Sequence, residues 1–416
     1  MLQRLKPADV SRARVDPVDP ATLAQAAQIL SDVRSGGAQA LRQHAERLGD
    51  LAAAEPLVLG RQQLRDALAA LAPGDREVLA RTAARIRAFA EVQRRALATV
   101  EIPIPGGSVG HTVVPVERAG CYAPGGRFPL PSSVLMTALT ARAAGVETVW
   151  VASPRPTPPT LAAAAIADAD GFLCVGGAQA IAALAFGAGE IPACDAVVGP
   201  GNRWVTAAKQ LVAGRVAIDM LAGPSELVVL ADGSADAALV AADLLGQAEH
   251  DPDAFTALVT DSAALAQKVD AALQAQLVGL PTRANAAQAL AHGVSVVVAD
   301  LAEGAQVCNI LAPEHLEVQV RDADFVVPLL RHYGALFVGA GAAEVFGDYG
   351  VGPNHVLPTS ATSRFSGGLS VLTFLRVRTW MRVANSVDAD IIRDTAHFAR
   401  MEGLEAHARA AERRAR

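Results

Sequence analysis

The sequence predicts an α/β protein with two mostly parallel β-sheets. Short apolar runs of strand length alternate with longer segments of helical periodicity, once over residues 120–225 and again over residues 227–338. Such alternation is typical of right-handed strand–helix–strand units, whose strands lie parallel in one sheet. The chain has 416 residues, more than the roughly 250–300 at which a single core stops growing, so we expect at least two domains.

The composition excludes several other classes of protein. A net charge of -6 argues against a nucleic-acid-binding surface, which needs clustered Lys and Arg. The first residues are polar or charged and contain no apolar signal segment, and no apolar stretch reaches the length of a membrane span. The four cysteines are scattered and match no zinc-ribbon or CxxC spacing. We expect a cytoplasmic protein with reduced thiols that binds neither nucleic acid nor membrane.

The N-terminal quarter of the chain is predicted to be mainly helical. Three prolines within residues 1–20 interrupt regular structure, so we expect an irregular arm there. Over residues 21–97 apolar side chains such as Val78 and Ile86 recur at helical spacing, with Arg and Glu on the opposite face. A short strand pair follows and ends at Pro115.

The central segment, residues 119–225, is predicted to form one α/β domain. Its buried strands are expected at residues 147–152, 171–175, 194–198 and 216–219. Its helices are expected to begin near Ser132, Thr160, Ala178 and Arg203. Glycine-rich turns follow several of these strands and could present backbone N–H groups to an anion. Ordinary strand–helix turns need glycine as well, and none of these turns is a GxGxxG motif.

A second alternation of strands and helices needs a sheet of its own. Its strands are expected at residues 227–230, 255–260, 294–298, 316–320 and 335–338. Its helices are expected over 236–249, over two segments up to about 292, and over 302–310. We therefore expect four parts: an N-terminal arm (1–20), a first α/β domain (21–118 with 226–368), a second α/β domain (119–225) and a small helical C-terminal segment (369–416).

Gln247 and His250 lie three positions apart near the end of a predicted helix and share one of its faces. An amide oxygen and an imidazole nitrogen that converge from one helical turn could hold two corners of a zinc ion. His250 could instead cap the helix C-terminus, where positive charge is favourable. No second histidine follows four residues later, so the segment is not an HExxH zinc site.

Glu314 and His315 directly follow a proline that ends a predicted helix. At such a turn both side chains can point into one cleft, and they are the residue types most easily tuned to exchange protons near neutral pH. The alternative is a surface glutamate beside a packed histidine.

Two further segments carry polar residues whose role the local sequence leaves open. In the glycine-rich loop 347–355, Asp348 could bind a cation and His355 a substrate, or both could stabilise the turn. Glu402 and His407 lie in a terminal segment that by itself indicates a solvated helix.

Taken together, these segments resemble the histidinol dehydrogenase family. The blocks that carry the resemblance follow in this order: ERAGCYAPGG, GGAQAIAALAFG, GPGN, AGPSE, QAEHD, APEHLE, GDYGVGPNHVLPT and EGLEAH. The likeness extends from about residue 20 to the C-terminus and is weakest over residues 372–380. It implies two incomplete Rossmann-like parallel-sheet domains, which accounts for the missing GxGxxG motif.

The resemblance implies an activity and a metal. Members of this family oxidise L-histidinol to L-histidine through the aldehyde, the last steps of histidine biosynthesis, with two NAD molecules and one zinc ion per subunit. The implied zinc ligands are Gln247, His250, Asp348 and His407. In the family the last ligand comes from a partner subunit, which implies a homodimer with shared active sites and exchanged C-terminal segments. The zinc would position the substrate rather than activate water.

The resemblance also implies roles for the acid/base pair and the substrate contacts. His315 would take the alcohol proton, and Glu314 would activate the water that adds to the aldehyde. The substrate would contact Ser225, Glu402, His315 and the four zinc ligands.

The implied NAD contacts are Tyr122, Gln179 and Asn202. All three follow predicted strands or stand at their carboxyl ends, which is where open α/β sheets bind ligands.

Three other functions are compatible with parts of this pattern. The first is a zinc- and NAD-dependent dehydrogenase of the same fold that acts on another amino alcohol or on a sulfonated diol. The second is an inactive scaffold, which should have lost a zinc ligand or an acid/base residue, and none is lost here. The third is a zinc hydrolase, which would work without NAD.

Overall fold

The predicted α/β architecture is confirmed in a computed structural model that describes residues 2–11, 18–125, 129–383 and 386–415. The strands are β1 (Gln3–Leu5), β2 (Val58–Gly60), β3 (Val100–Ile104), β4 (Gly107–Pro115), β5 (Arg118–Tyr122), β6 (Thr148–Ala152), β7 (Gly171–Leu173), β8 (Ala196–Val198), β9 (Ala217–Ile218), β10 (Glu226–Ala231), β11 (Phe255–Thr260), β12 (Val294–Val297), β13 (His315–Gln319), β14 (Ala335–Val338) and β15 (Leu375–Val383).

The helices between these strands range from one turn to eight turns in length. They are α1 (Pro20–Arg47), α2 (Arg61–Ala70), α3 (Pro73–Arg95), α4 (Pro131–Ala144), α5 (Pro158–Ile166), α6 (Gly177–Phe186), α7 (Arg203–Val212), α8 (Ala237–His250), α9 (Ala263–Leu277), α10 (Arg283–His292), α11 (Leu301–Leu311), α12 (Ala323–Val326), α13 (Glu344–Asp348), α14 (Ala389–Met401) and α15 (Glu405–Glu412). None of the described helices is both long and apolar enough to cross a membrane.

The first sheet has the order β2-β7-β6-β5-β8-β9. Strands β5 to β9 pair in parallel, and β2 runs antiparallel to β7 at one edge. Apolar side chains fill its core, among them the fully buried Leu135, Phe172 and Ile181. The four helices predicted to begin near residues 132, 160, 178 and 203 begin within two residues of those positions.

The second sheet has the order β1-β12-β11-β10-β13-β14, and all of its pairs are parallel. Separate apolar clusters cover its two faces, one containing Leu227 and Leu258 and the other Val228 and Val296. Burial on both faces explains why its strands have nearly continuous apolar sequences. The predicted strands of this segment are confirmed.

The structure contradicts the predicted domain assignment of residues 21–118. Helices α1 to α3 pack against α4 to α7, the helices between the strands of the first sheet; Leu30, Leu64 and Ile86 join the core of that sheet, and β2 pairs with β7. Residues 20–95 therefore pack mainly with residues 119–225, whereas β3 and β4 pair with β15 in a separate sheet. Helical periodicity shows that one face is buried but not which partner buries it, and this is why the prediction was wrong.

The ends of the chain also differ from the prediction. Residues 3–5 form β1, which extends the second sheet beside β12, so the expected arm contains regular structure; residues 12–17 of that arm lie outside the described residues. The C-terminal segment is helical only from Ala389, because β15 pairs antiparallel with β4 in a three-stranded sheet of order β15-β4-β3. That pairing joins strands more than 250 positions apart, and the local pattern does not reveal it.

The two six-stranded sheets are joined by a loop that follows α13. Asn354 Nδ2 donates to the Met136 carbonyl of α4 at 2.9 Å, and Gly223 N donates to Thr359 Oγ1 at 2.6 Å. Ser360 N donates to Glu226 Oε1, at the start of β10, at 2.7 Å. The loop thereby holds the carboxyl ends of the first sheet close to the amino ends of β10 and β13.

Candidate active site

A possible metal centre lies between the ends of two helices. His250 is the last residue of α8, and Glu344 and Asp348 begin and end α13. Ligand atoms of these three side chains lie within 4.8 Å of one another, and His250 Nε2 is 3.7 Å from Asp348 Oδ2. Asp348 was expected in a loop, but it occupies a helical position that points at the end of α8.

The Gln247 amide is buried beside this cluster. In the orientation that suits its surroundings, its nitrogen donates to Glu344 Oε1 at 2.9 Å and its oxygen faces Ser225 Oγ at 2.9 Å. The Ser225 hydroxyl also donates to Glu314 Oε2 at 2.6 Å. Because it carries one hydrogen, it serves one of these two oxygens at a time. Ser225 thus connects the predicted metal ligands to the predicted acid/base pair.

Glu314 is held at the amino end of β13 by the neighbouring strand. Its Oε2 accepts from Ser225 Oγ and from Glu226 N at 2.9 Å, and its own main-chain N donates to Glu226 Oε2 at 3.2 Å. Burial raises the pKa of Glu314 well above its usual range, against the lowering effect of these hydrogen bonds. The carboxyl group is therefore fixed in place and basic when ionised.

His315 is held as an uncharged imidazole with one free nitrogen. Its Nδ1 lies 3.0 Å from the Glu226 carbonyl oxygen and donates to it, so Nε2 carries the lone pair. Burial lowers the pKa of His315 to about 4, although the Asp348 carboxylate opposes that shift. Nε2 is 3.9 Å from Asp348 Oδ1 and therefore faces the metal cluster. The alternative of a surface glutamate beside a packed histidine does not hold, because Glu314 is buried as well.

The acidic groups in and around the cluster suit the binding of a cation. Burial raises the pKa of Glu344 well above its usual range, and the charges of Asp348 and Glu314 raise it further. Burial also raises the pKa of Glu317 to about 8, with Asp243 as the next contribution. A divalent cation would favour the ionised form of these carboxyl groups. Amide and carboxylate oxygens with an imidazole nitrogen are a donor set that zinc accepts.

His355 enters the same site from the loop after α13. Its Nδ1 donates to the Asp348 carbonyl at 2.9 Å, and its Nε2 is 3.3 Å from Ser133 Oγ on α4. It therefore supports the backbone of Asp348 and joins α4 to α13. The turn-stabilising role left open for this histidine agrees with these contacts.

The predicted NAD contacts lie at the carboxyl ends of the first sheet. Tyr122 ends β5, and its hydroxyl accepts from Gly177 N at 3.2 Å at the start of α6. Gln179 is buried in the first turn of α6, where its Nε2 donates to Asp50 Oδ2 at 2.9 Å. Gly126, at the end of the first resemblance block, lies outside the described residues.

Asn202 follows β8, the strand next to β5 in the sheet, and caps α7. Its Oδ1 accepts from Trp204 N at 3.0 Å and from Val205 N at 3.3 Å. Several N–H groups of the turns that could have faced an anion therefore have acceptors within the protein, both here and at Gly176, whose N donates to Asp50 Oδ2 at 3.0 Å.

Two predicted site residues lie apart from the cluster within one chain. Glu402, directly after α14, and His407, on α15, are exposed, and the two helices pack against each other through alanine side chains. His407 is not part of the metal-ligating group found among the described residues. A single subunit therefore brings together Gln247, His250 and Asp348 but not the fourth predicted ligand.

Three polar residues of these sites were missed by the sequence analysis. Glu226 positions both members of the acid/base pair, Glu344 faces Gln247, and Asp50 binds the turn before α6. A signal existed for Glu344, which stands four residues before Asp348 and so shares its helical face. No local pattern points to Asp50 or Glu226, because their partners are 88 to 134 positions away.

Comparisons of the sequence with known proteins point to one family. A family model described as histidinol dehydrogenase matches residues 13–415. A histidinol dehydrogenase from Chromobacterium violaceum is 44% identical over 403 residues, covering 95% of this chain and 93% of the relative. A histidinol dehydrogenase from Thermus thermophilus is 44% identical over 388 residues, covering 93% of each chain.

Solved structures show the same similarity. A crystal structure of histidinol dehydrogenase from Elizabethkingia anophelis superposes with a TM-score of 0.91 at 30% identity, covering 97% of this chain and 94% of that chain. An acetylating aldehyde dehydrogenase from Geobacillus thermoglucosidasius shares the fold alone, with a TM-score of 0.50 at 14% identity, covering 88% of this chain and 98% of that chain.

Proposed function

Since the chain belongs to the histidinol dehydrogenase family of oxidoreductases, we propose that it oxidises L-histidinol to L-histidine through L-histidinaldehyde, with one zinc ion per subunit and two NAD molecules per turnover. The observation that carries this proposal is the position of the His315 imidazole, whose free Nε2 faces the metal-ligating cluster beside the Glu314 carboxyl group. A base for the alcohol and a base for water thus lie next to a site for the metal.

Zinc would be held by Gln247, His250, Asp348 and His407 of the partner subunit. When bound, it would anchor the nitrogen atoms of the substrate and keep the reacting carbon in place. The first three of these residues converge in one subunit. The Gln247 amide nitrogen donates to the Glu344 carboxyl group, so the Gln247 oxygen points away from that group.

In the first oxidation His315 accepts the hydroxyl proton of the substrate at Nε2. Its low pKa keeps this atom unprotonated at neutral pH, and the bond from Nδ1 to the Glu226 carbonyl keeps the ring oriented. NAD would take the hydride from the carbinol carbon.

In the second half of the reaction Glu314 removes a proton from the water that adds to the aldehyde carbon. Ser225 and Glu226 N hold its Oε2, so the carboxyl group keeps one orientation toward the cluster. A second NAD would take the hydride of the hydrated aldehyde, and His315, once its first proton has passed to solvent, accepts the hydroxyl proton. The substrate would also contact Ser225 and Glu402 of the partner subunit.

NAD would bind along the carboxyl edge of the first sheet, in contact with Tyr122, Gln179 and Asn202. These residues stand at or just after the carboxyl ends of β5, β7 and β8, the edge at which open α/β sheets bind ligands. The loop after α13 connects this edge to His315 and Glu314 through Ser360 and Glu226.

We further propose a homodimer in which the C-terminal hairpin of α14 and α15 completes the site of the other subunit. The hairpin exposes large apolar side chains that a single chain leaves uncovered, among them Phe398, Met401 and Leu404. Its two predicted site residues, Glu402 and His407, are exposed beside them. The four free, buried cysteines suit a reducing compartment, so we place the enzyme in the cytoplasm.

The test is a count of NADH formed per histidinol consumed, with enzyme stripped of metal by EDTA and with zinc restored. We expect a ratio near two in the zinc-loaded enzyme and loss of activity on stripping. A ratio near one would contradict the four-electron reaction. Turnover of a sulfonated or simple diol without turnover of histidinol would contradict the substrate assignment.

A further inference from the structure

A buried ion pair stands behind the glycine loop that carries Asn202. Lys209, in the last turns of α7, forms an ion pair with Asp219, which directly follows β9. Their side chains are 2% and 0% exposed. Lysine and aspartate are almost never buried to this extent unless their charges are paired, because each loses its hydration on leaving water.

The pair clamps one peptide segment from both sides. Lys209 Nζ donates to the Gly199 carbonyl at 2.9 Å, and Gly199 N donates to Asp219 Oδ2 at 2.7 Å. Asp219 Oδ1 also accepts from Met220 N at 2.8 Å. Each charged group thus makes one hydrogen bond to Gly199, in the loop after β8.

Gly199 has a backbone conformation that residues with a side chain rarely adopt. Its φ is +119°, a region that side chains disfavour, and a Cβ there would stand 1.9 Å from the Tyr122 carbonyl oxygen. The loop therefore passes directly over the end of β5. Asn202 caps the α7 helix that carries Lys209, so the loop, the helix cap and the ion pair are directly connected.

We propose that Lys209 and Asp219 are positioning residues for cofactor binding: they hold the loop from Gly199 to Asn202 against Tyr122 before NAD arrives. The inference rests on the proposed function, in which Tyr122 and Asn202 contact NAD. A loop that is ordered in advance does not lose its conformational freedom when the cofactor binds. The pair contacts neither the metal cluster nor Glu314 and His315, so metal and histidinol binding are independent of it.

The variants Lys209→Met and Asp219→Asn test the proposal, with Lys268→Met as the matched control because Lys268 is an exposed lysine of α9. NAD affinity is measured by calorimetric titration, and zinc content and steady-state kinetics are measured on the same preparations. We expect the NAD dissociation constant and KM to rise by about tenfold or more in both clamp variants. We expect zinc content, histidinol KM and kcat at saturating NAD to stay near wild type. The control variant should match wild type throughout.

Clamp variants that bind NAD with wild-type affinity would overturn the proposal. So would a parallel rise in the KM of histidinol and NAD, which indicates general loosening. Asp219→Asn keeps the shape of the side chain and an acceptor oxygen. Its NAD affinity therefore tests the proposal if Lys209→Met does not fold.

Hydrogen–deuterium exchange on the wild-type enzyme gives a second measurement that needs no variant. We expect the Gly199 amide to exchange slowly without NAD. Fast exchange that slows only after NAD is added would overturn the proposal. Wild-type enzyme that binds no NAD at all, with Gly199 already protected, would instead refute the proposed function and remove the cofactor role with it.

Discussion

The tautomer of His315 follows from one hydrogen bond. The Glu226 carbonyl accepts a hydrogen bond from Nδ1–H, and the ring lies tilted beside Phe337 with 6.0 Å between the ring centroids. Such a pocket penalises the imidazolium ion, so the ring is neutral and ready to accept a proton at Nε2.

The depressed pKa of His315 makes the folded state sensitive to acid. The unfolded chain binds a proton at this histidine below about pH 6.5 and the folded chain only below about 4, so stability contributed by the neutral ring is lost as pH falls through that window. A tenfold difference in proton affinity between the two states corresponds to about 1.4 kcal/mol. Urea unfolding of zinc-free wild type and His315→Gln should show that the stability of wild type relative to the variant falls between pH 6.5 and 4. A constant difference would contradict the lowered pKa.

Replacing Glu314 with glutamine should separate the two halves of the reaction. The amide keeps the shape of the side chain but cannot take a proton from water, so hydration of the aldehyde should slow by the ~10²–10⁴ typical of lost acid–base catalysis. The oxidation of histidinol to the aldehyde should slow less. Rates of the two halves, measured with histidinol and with histidinaldehyde, check this; Glu91→Gln, on an exposed face of α3, is the control. Equal losses in both halves would argue against the assigned role.

At the scale of elements, the strands β3 and β15 lie very close to Gly110 in β4, the central strand of the three-stranded sheet. A Cβ at Gly110 would lie 2.2 Å from the Val100 carbonyl oxygen and 2.6 Å from the Trp380 ring. Both neighbours belong to the strands that flank β4, so a side chain there pushes β3 and β15 away.

Gly110→Ala should therefore lower the free energy of unfolding by about 1–3 kcal/mol, the usual cost of forcing extra atoms into a packed site. Chemical denaturation measures this. Gly74→Ala is the matched control, since no atom lies within 4 Å of a Cβ at that position in the first turn of α3. Its expected effect is neutral or stabilising. A similar loss in both variants would refute the packing argument.

At the scale of the whole molecule, the proposal that His407 of the partner subunit completes the site can be tested by mixing subunits. His315→Asn and His407→Asn should each be inactive alone. In a mixed dimer, one site would combine an intact His315 with an intact His407 of the partner subunit, so random mixing should restore about a quarter of wild-type activity. No recovery after unfolding and refolding the two variants together would show that His407 acts within its own chain or not at all.

Part of this structure could be predicted from local pattern. Strand β11 and strand β14 fall on the predicted residues, and α7 begins at the predicted Arg203. The sequence also indicates two pairs of site residues, Gln247 with His250 and Glu314 with His315, because neighbours in sequence necessarily lie close in space. These features depend on spacings of one to four residues, and the chain itself encodes such spacings.

The sequence by itself therefore determined the alternation of elements, the two parallel sheets and the chemical types gathered at the site. Only the tertiary structure decided that α1 to α3 pack against the helices of the first sheet and that β15 pairs with β4. It alone placed Glu226 against His315 and Lys209 against Gly199. The physical reason is that a hydrophobic face or a polar side chain shows that it needs a partner, whereas the partner is chosen by packing and hydrogen bonding between segments far apart in the chain.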